Sequence, residues 1–157
     1  MKQIYNWHKA TVSDVESDGL LEEATKLHVV SCELDSGKKV DMVGDNFKLI
    51  TKFIKHHLDN EIPIVGHSFI CFDVPLLEKI TGLDCSKLMV IDTLTLSWYL
   101  NIDRKIHGLD SFLEDYGIAK PPVTDWVGLS YEEYRHRCSE DVSINKRLWE
   151  DLKGRLI

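Results

Sequence analysis

The sequence has 157 residues, of which 43% are hydrophobic and 29% charged, and its net charge is −7. This length supports one substantial core and is too short for two ordinary domains, so we expect a single domain over residues 1–157. The charge argues against nonspecific binding of nucleic acid, unless the acidic residues chelate divalent cations that reverse the local charge.

Apolar periodicity predicts strands first, and then strands that alternate with helices. Strands are predicted at 10–15, 27–34, 39–43, 62–65 and 88–91, with a turn at 35–38. Helices are predicted from 47 to 58, around 76–80, at 93–100, at 107–116 and from about 130 to 152. Asp45 or Asn46 is placed to cap the first helix and Asp92 the third, and Pro121-Pro122 marks the connection to the last. This order predicts an α/β fold with a mixed central β-sheet flanked by α-helices.

Two acidic residues stand at the end of the first predicted strand. Asp14 and Glu16 are two residues apart, so their side chains project from the same face of the strand. Carboxylates held this close repel each other, and a divalent cation between them removes the repulsion. Oxygen ligands of this kind suit Mg²⁺ or Mn²⁺. A pair of solvated surface acids is the alternative explanation, which this motif alone does not exclude.

Two further acidic residues lie in downstream motifs. Asp73 follows a predicted strand in the segment GHSFICFDVPLL at 66–77, and Asp141 lies on the last predicted helix. Asp73 is also well placed as an ordinary N-cap, because Pro75 follows it in the first helical turn. Asp141 is equally compatible with a solvated helix face. The occurrence of these acids in this order after Asp14 and Glu16 favours a joint role.

These motifs resemble the three exonuclease motifs of the DEDD superfamily, also called DnaQ-like. The resemblance extends from about residue 10 to residue 152 and rests on the D-x-E pair, the F-D-x-P-x-L segment and the Asp of the last helix. Residues 14–21, 66–77, 91–94 and 107–112 resemble most closely the proofreading domain of bacteriophage family-A DNA polymerases. The resemblance implies a ribonuclease H-like fold and a 3′→5′ exonuclease domain without a polymerase domain.

The resemblance also implies a role for each acidic residue. Asp14, Glu16, Asp73 and Asp141 match the four carboxylates with which the family binds two Mg²⁺ or Mn²⁺ ions and hydrolyses phosphodiester bonds. Such an enzyme releases nucleotides from the 3′ end of single-stranded or frayed DNA, in proofreading or in DNA degradation during phage replication. Single-stranded DNA, DNA 3′ ends and a separate DNA polymerase chain are the expected partners.

A fifth catalytic residue is expected on the last helix. The family uses a Tyr four residues before the last Asp, or a His five residues before it, to orient or deprotonate the attacking water. These positions hold Arg137 and His136. Arg stays protonated whereas His titrates near neutrality, so His136 is the expected general base. On a straight helix His136 is turned about 140° from Asp141, so a bend or a helix start is needed near it. If His136 instead faces solvent, Arg137 holds a phosphate and the metals alone activate water.

Substrate contacts are expected at five positions. Ser17 and Leu20 match family residues that touch or wedge the 3′-terminal nucleotide, and Ser68 stands where the family usually has an Asn. His107 and Trp126 are candidates for the wall of the cleft, where Trp126 offers a face for stacking an unpaired base. A partly buried core aromatic is the alternative explanation for Trp126.

Two alternatives to a DNA exonuclease stay open. One is a noncatalytic accessory domain that binds a polymerase or another replisome partner. The other is an RNA 3′→5′ exonuclease, because the same metal chemistry cleaves either backbone and only contacts to the 2′-hydroxyl distinguish them.

The cysteines and apolar segments predict where the protein works. The four cysteines form no C-x-x-C pair, which argues for a reducing compartment and against a zinc site or a disulfide framework. We see no apolar run of signal-peptide length and no stretch near the roughly 20 residues that span a bilayer. We therefore expect a soluble protein of the cytoplasm, the host cytoplasm if a phage encodes it, with no membrane partner.

Overall fold

The computed structural model describes residues 6–120, 122–126 and 128–156, so Pro121 of the predicted connection lies outside the described residues. The strands are β1 (Thr11–Ser17), β2 (Leu27–Glu33), β3 (Lys39–Val43), β4 (Ile64–Gly66) and β5 (Val90–Asp92). The α-helices of the described residues are α1 (Phe47–Asp59), α2 (Asp73–Thr81), α3 (Thr93–Leu100) and α4 (Tyr131–Leu156). The predicted order of strands and helices is confirmed, except for the helix predicted at 107–116.

The five strands form one mixed sheet in the order β3-β2-β1-β4-β5. β1 pairs with β2, and β2 with β3, in antiparallel orientation. β4 runs parallel to both β1 and β5. The carboxyl ends of β1, β4 and β5 therefore meet at one edge of the sheet, the usual place for a functional site in an open α/β sheet.

Helices cover both faces of the sheet. One core, under α1 and α2, includes Val15, Val30, Ile50, Ile54, Leu76 and Leu77. The core on the other face, under α4, includes Val12, Val65, Val142 and Trp149. Because strand residues alternate between faces, Asp14 shares the face of Val12 and lies beneath α4. The fold is thus a three-layer α/β structure with the predicted acids between the sheet and its longest helix.

Local sequence signals explain where the helices begin. Asn46 Oδ1 accepts a hydrogen bond from the Leu49 amide at 3.1 Å, and Asp92 Oδ1 accepts one from the Leu94 amide at 3.0 Å. Both predicted N-caps are confirmed, with Asn46 rather than Asp45 capping α1. Across the ranges that the structure describes, none of the helices combines the length and the apolar composition that crossing a membrane requires.

The helix predicted at 107–116 is wrong. Only a 3₁₀ turn, Leu109–Phe112, forms there. Polar side chains take the carbonyls that an α-helix would need: Ser111 Oγ donates to the Gly108 carbonyl at 2.6 Å, and Arg104 Nη2 donates to the Ser111 carbonyl at 2.7 Å. Such local side-chain bonds compete with the helical hydrogen-bond ladder.

The turn after β4 is shaped by a close backbone contact. A Cβ added to Gly66 would lie 2.1 Å from the Phe69 ring, so only glycine lets the chain fold back at this point. Ser68 then takes a positive φ of 57°, a left-handed conformation that Asn and Gly adopt more readily than Ser. This turn leads directly into α2 and fixes where its first residue, Asp73, lies.

Candidate active site

Four carboxylates converge at the edge where β1, β4 and β5 end. Asp14 and Glu16 come from β1, Asp73 is the first residue of α2, and Asp141 lies on α4. Carboxylate oxygens of Asp14, Glu16 and Asp141 lie within 4.8 Å of one another, close enough to share one cation. We call these four residues the carboxylate cluster.

Asp73, the first residue of α2, is the fourth acid of the cluster. Among the neighbouring charges that raise the pKa of Asp14, that of Asp73 is the largest. Asp73 is not one of the three residues whose carboxylate oxygens lie within 4.8 Å of one another. The N-cap position of α2 is Phe72, so the alternative explanation of Asp73 as an ordinary N-cap does not hold. Asp73 is 3% exposed, and its Oδ1 has no hydrogen-bond partner among the described residues. A buried carboxylate oxygen without a partner is costly, and a bound cation removes that cost.

The proximity of these acids changes their protonation. Burial, followed by the charges of Asp73, Asp141 and Glu16, raises the pKa of Asp14 well above its usual value. Burial and the charge of Asp141 raise the pKa of Glu16 to about 7. Burial is also the main cause that raises the pKa of Asp73. The cluster therefore lacks positive charge, which is the electrostatic condition that divalent cations relieve.

Lys120 supplies part of that charge. Its Nζ donates to Asp141 Oδ1 and, at 3.1 Å, to Asp110 Oδ1. Burial raises the pKa of Asp141, while Lys120 opposes the rise. Burial lowers the pKa of Lys120, but Asp141 and Asp110 outweigh burial and raise it above its usual value. Lys120 therefore stays protonated and places a positive charge at the cluster. The sequence did not reveal this residue.

The donor set of the cluster fits Mg²⁺ or Mn²⁺. Each residue offers carboxylate oxygens, the ligands that hard divalent cations prefer, whereas zinc sites use sulfur or imidazole. The nearby Cys138 does not change this, because its Sγ lies against the Asp14 carbonyl at 3.3 Å and burial raises its pKa well above the usual value. The unpartnered Asp73 Oδ1 and the three converging carboxylates are the observations that support a metal.

His136 lies outside the cluster. α4 begins at Tyr131 and continues through His136, so the expected bend or helix start at His136 is absent. The His136 side chain is 68% exposed, and its Nε2 lies 3.1 Å from Glu140 Oε1. Arg137, one helical turn before Asp141, is mostly buried and lies 3.7 Å from Glu140 Oε2. This geometry does not support His136 as the general base.

A cleft of about 630 Å³ adjoins the cluster through Glu16. Three of the predicted substrate-contact residues, Ser17, Leu20 and Trp126, line it. Leu20 and Trp126 are both exposed, Trp126 at 48%, so the alternative explanation of Trp126 as a buried core aromatic does not hold. The cleft is large enough for a nucleotide-sized ligand.

The cleft wall also contains residues that the sequence did not reveal. The His28 ring stacks on the Tyr134 ring with 3.8 Å between centroids, and the Tyr134 hydroxyl donates to the Trp126 carbonyl at 2.6 Å. Lys26 and Phe72 line the same cleft. Tyr134 thus holds the backbone that carries Trp126. No periodicity signals this arrangement, because it joins a strand, a loop and a helix.

The other two predicted contacts are placed elsewhere. The Ser68 amide donates to Asp92 Oδ1 at 3.0 Å, so Ser68 belongs to the turn before α2. His107 is 3% exposed, and its ring nitrogens lie 2.7 Å from Ser97 Oγ and 2.9 Å from the Arg104 carbonyl. His107 is thereby directed towards α3, and the structure does not bring it into the cleft.

Four solved structures are similar to this chain. Brucella melitensis NrnC with bound Mg²⁺ is 22% identical, with a TM-score of 0.69 over 98% of this chain and 76% of NrnC. NrnC bound to pGG is 20% identical, with a TM-score of 0.57 over 96% and 82%. The apo form of a nuclease is 20% identical, with a TM-score of 0.71 over 97% and 74%. The family B DNA polymerase of the hyperthermophilic archaeon Pyrobaculum calidifontis is 17% identical, with a TM-score of 0.61 over 92% of this chain and 24% of the polymerase.

These similarities establish the fold. The chain has the ribonuclease H-like α/β fold that the sequence predicts, which it shares with NrnC and the nuclease. The sequence matches no family model, and no curated protein matches it either. The polymerase among these structures belongs to family B, so the narrower resemblance to phage family-A polymerases stays a prediction.

Proposed function

We propose that the protein is a single-domain, metal-dependent 3′→5′ exonuclease that releases nucleotides from the 3′ end of single-stranded or frayed DNA. The carboxylate cluster carries this proposal, because Asp14, Glu16 and Asp141 converge within 4.8 Å and Asp73 adds a buried oxygen without a partner. The same fold occurs in a nuclease and in NrnC with bound Mg²⁺, which supports the proposal.

The proposed ligands of two Mg²⁺ or Mn²⁺ ions are Asp14, Glu16, Asp73 and Asp141. When bound, the ions supply an activated water at neutral pH and a positive charge that stabilises the leaving 3′ oxygen. The protein contributes rigid placement, since two ligands lie on the central strand and two on helices packed against the sheet. Rigid ligands hold the reacting groups in line without reorganisation during the reaction.

The remaining residues serve binding. In this proposal, Ser17, Leu20 and Trp126 receive the 3′-terminal nucleotide, with Trp126 stacking on its base. Arg137 would hold a phosphate, and bound ions would supply the activated water without His136, which faces solvent. A separate DNA polymerase chain is the proposed partner if the enzyme proofreads.

A digestion assay tests the proposal. A 5′-labelled single-stranded DNA oligonucleotide, incubated with Mg²⁺ or Mn²⁺, should give a descending ladder that EDTA abolishes. Asp14→Ala should abolish it too, because one metal ligand is lost. Asp41→Ala is the matched control, since Asp41 is a strand carboxylate that pairs with Arg135 at 3.1 Å and lies outside the cluster.

The substrate is resolved by parallel reactions on RNA of the same sequence and on pGG, the ligand of one NrnC structure. Faster digestion of DNA supports the proposal, and faster digestion of RNA or pGG assigns the site to RNA or to very short substrates. If no substrate yields a metal-dependent ladder and calorimetry detects no divalent-ion binding, the protein is a noncatalytic accessory domain.

A further inference from the structure

Lys120 makes a contact that a bound metal would disturb. The loop between the 3₁₀ turn and α4 carries Lys120 to the cluster, where its Nζ donates to Asp141 Oδ1. The Lys120 side chain is only 11% exposed and Asp141 only 18%, so the pair is shielded from water. Lys120 thus already provides positive charge at one of the four proposed ligands.

Lys120 also has a second acceptor. Asp110, the second residue of the 3₁₀ turn, lies 3.1 Å from the Lys120 Nζ, and its side chain is 73% exposed. The two acceptors therefore differ in position: Asp141 belongs to the cluster, whereas Asp110 faces solvent. Because the ammonium group is already shared between them, a small movement suffices to leave Asp141 and stay paired with Asp110.

A divalent cation and an ammonium group compete for the same carboxylate. An ion held by Asp14, Glu16 and Asp141 would repel Lys120 at short range, and this repulsion is strong where water is excluded. If Lys120 had no other partner, binding of the ion would leave a buried lysine unpaired, which is costly. Asp110 removes that cost.

We propose that Lys120 is a resident counter-cation that occupies Asp141 in the metal-free cluster and passes to Asp110 when a divalent ion binds. Lys120 and Asp110 together then set the affinity of the cluster for divalent ions, although neither is a ligand. This inference rests on the proposed function insofar as Asp141 is taken as a metal ligand.

The exchange predicts opposite effects for the two residues. Lys120→Met removes the competitor and should tighten Mn²⁺ binding by about tenfold, as expected for one charge near the site. Asp110→Asn removes the alternative partner and should weaken Mn²⁺ binding by about threefold to fivefold, as expected for an exposed pair. In the Lys120→Met background Asp110→Asn should have no effect, because no ammonium group needs a second acceptor.

The double-mutant cycle distinguishes exchange from simple charge effects. If Asp110 acts only through its distant negative charge, Asp110→Asn weakens Mn²⁺ binding equally with and without Lys120. Isothermal titration calorimetry with Mn²⁺ at fixed pH and ionic strength measures all four proteins, independently of nuclease activity. Lys146→Met is the matched control, since Lys146 lies on α4 and pairs with Glu150 at 3.3 Å.

Each outcome has one meaning. Loss of the Asp110→Asn effect in the Lys120→Met background supports the exchange, and equal effects in both backgrounds overturn it. Absence of Mn²⁺ binding by the wild-type protein contradicts the proposed function, and with it the identity of the site. Lys120→Gln replaces Lys120→Met in the cycle if circular dichroism shows that the Met variant is unfolded.

Discussion

Two polar regions lie under α4, and they are built in opposite ways. One is the carboxylate cluster. The other, which we call the polar network, consists of His67, Thr93, Ser97, His107 and Asn145. The Thr93 hydroxyl lies 2.9 Å from His67 Nδ1 and 2.7 Å from Asn145 Oδ1, and His67 Nε2 donates to the His107 carbonyl at 2.9 Å. The network joins the residue after β4, helices α3 and α4, and the segment after α3.

The difference lies in how each region is satisfied. Burial lowers the pKa of His67, which favours its neutral form. The polar groups of the network form hydrogen bonds with one another. The cluster instead combines four acids with raised pKa values, the cation Lys120 and an Asp73 Oδ1 without a partner among the described residues. A satisfied network stabilises a fold, whereas an unsatisfied cluster destabilises it unless a ligand binds. Functional sites are the expected place for such a conflict.

The largest effect should come from Asp73→Asn. We expect nuclease activity to fall by on the order of 10³-fold, which corresponds to the several kcal/mol that a metal contributes to the transition state. At the same time the metal-free protein should become more stable, because one of the mutually repelling charges is removed. Digestion rates and thermal unfolding in EDTA measure the two effects.

Asp92→Asn is the matched control for the expected gain in stability. Asp92 is also buried, but its oxygens accept from the amides of Ser68, Ile70 and Leu94 at 3.0 to 3.1 Å. Replacing a satisfied carboxylate by an amide should lower the free energy of unfolding by about 1.5–3 kcal/mol. If Asp73→Asn is destabilised in EDTA as Asp92→Asn is, the cluster is not the unsatisfied region and the comparison fails.

The next effect is on the network itself. Thr93→Val keeps the side-chain shape but removes the hydroxyl between His67 and Asn145, so buried polar groups lose a partner. The free energy of unfolding should fall by about 1–3 kcal/mol, while activity at low temperature stays within a few-fold of wild type. Thr95→Val, the same change at an exposed position of α3, should be nearly neutral. Urea denaturation measures the free energy of unfolding of both variants. If both lose the same amount, the buried hydrogen bonds of the Thr93 hydroxyl do not stabilise the fold.

A smaller effect concerns pH. The pKa of Glu16 is raised from 4.5 to about 7, so between these values the folded protein keeps a proton that the unfolded chain has released. Stability of the metal-free protein should therefore fall as pH rises through this range. Each kcal/mol lost from the free energy of unfolding should lower Tm by about 2–4 °C. If Mg²⁺ binds the folded cluster as proposed, it competes with protons there and should restore stability most at high pH.

Thermal unfolding between about pH 5 and pH 8, with EDTA or Mg²⁺, checks this sign. Glu16→Gln is the control. Because Gln cannot titrate, Tm in EDTA should decline less with rising pH in this variant. If the plots of Tm against pH in EDTA and in Mg²⁺ are parallel, protons and metal do not compete at the cluster.

The sequence predicted the cluster better than its surroundings. Strand alternation puts Asp14 and Glu16 on one face. The parallel pairing of β1 and β4 brings the carboxyl ends of both strands to one edge of the sheet, so the segment that leads to Asp73 begins near this pair. Lys120 reaches Asp141 from an irregular loop 21 residues away, a contact that no periodicity encodes. The placement of His107 away from the cleft was equally hidden from periodicity, since the segment expected as a helix is instead held by side-chain bonds to backbone carbonyls.

The smallest expected effect concerns His136, which belongs to neither polar region. If the metals alone activate water, His136→Ala should leave activity within a few-fold of wild type, because the ring lies on the exposed side of α4 against Glu140. Loss of a general base instead costs about 10²–10⁴-fold. His8→Ala, at another exposed histidine, is the control. Single-turnover rates across pH decide between the two: a large loss in His136→Ala alone would mean that α4 must rearrange when substrate binds, to bring His136 to the cluster.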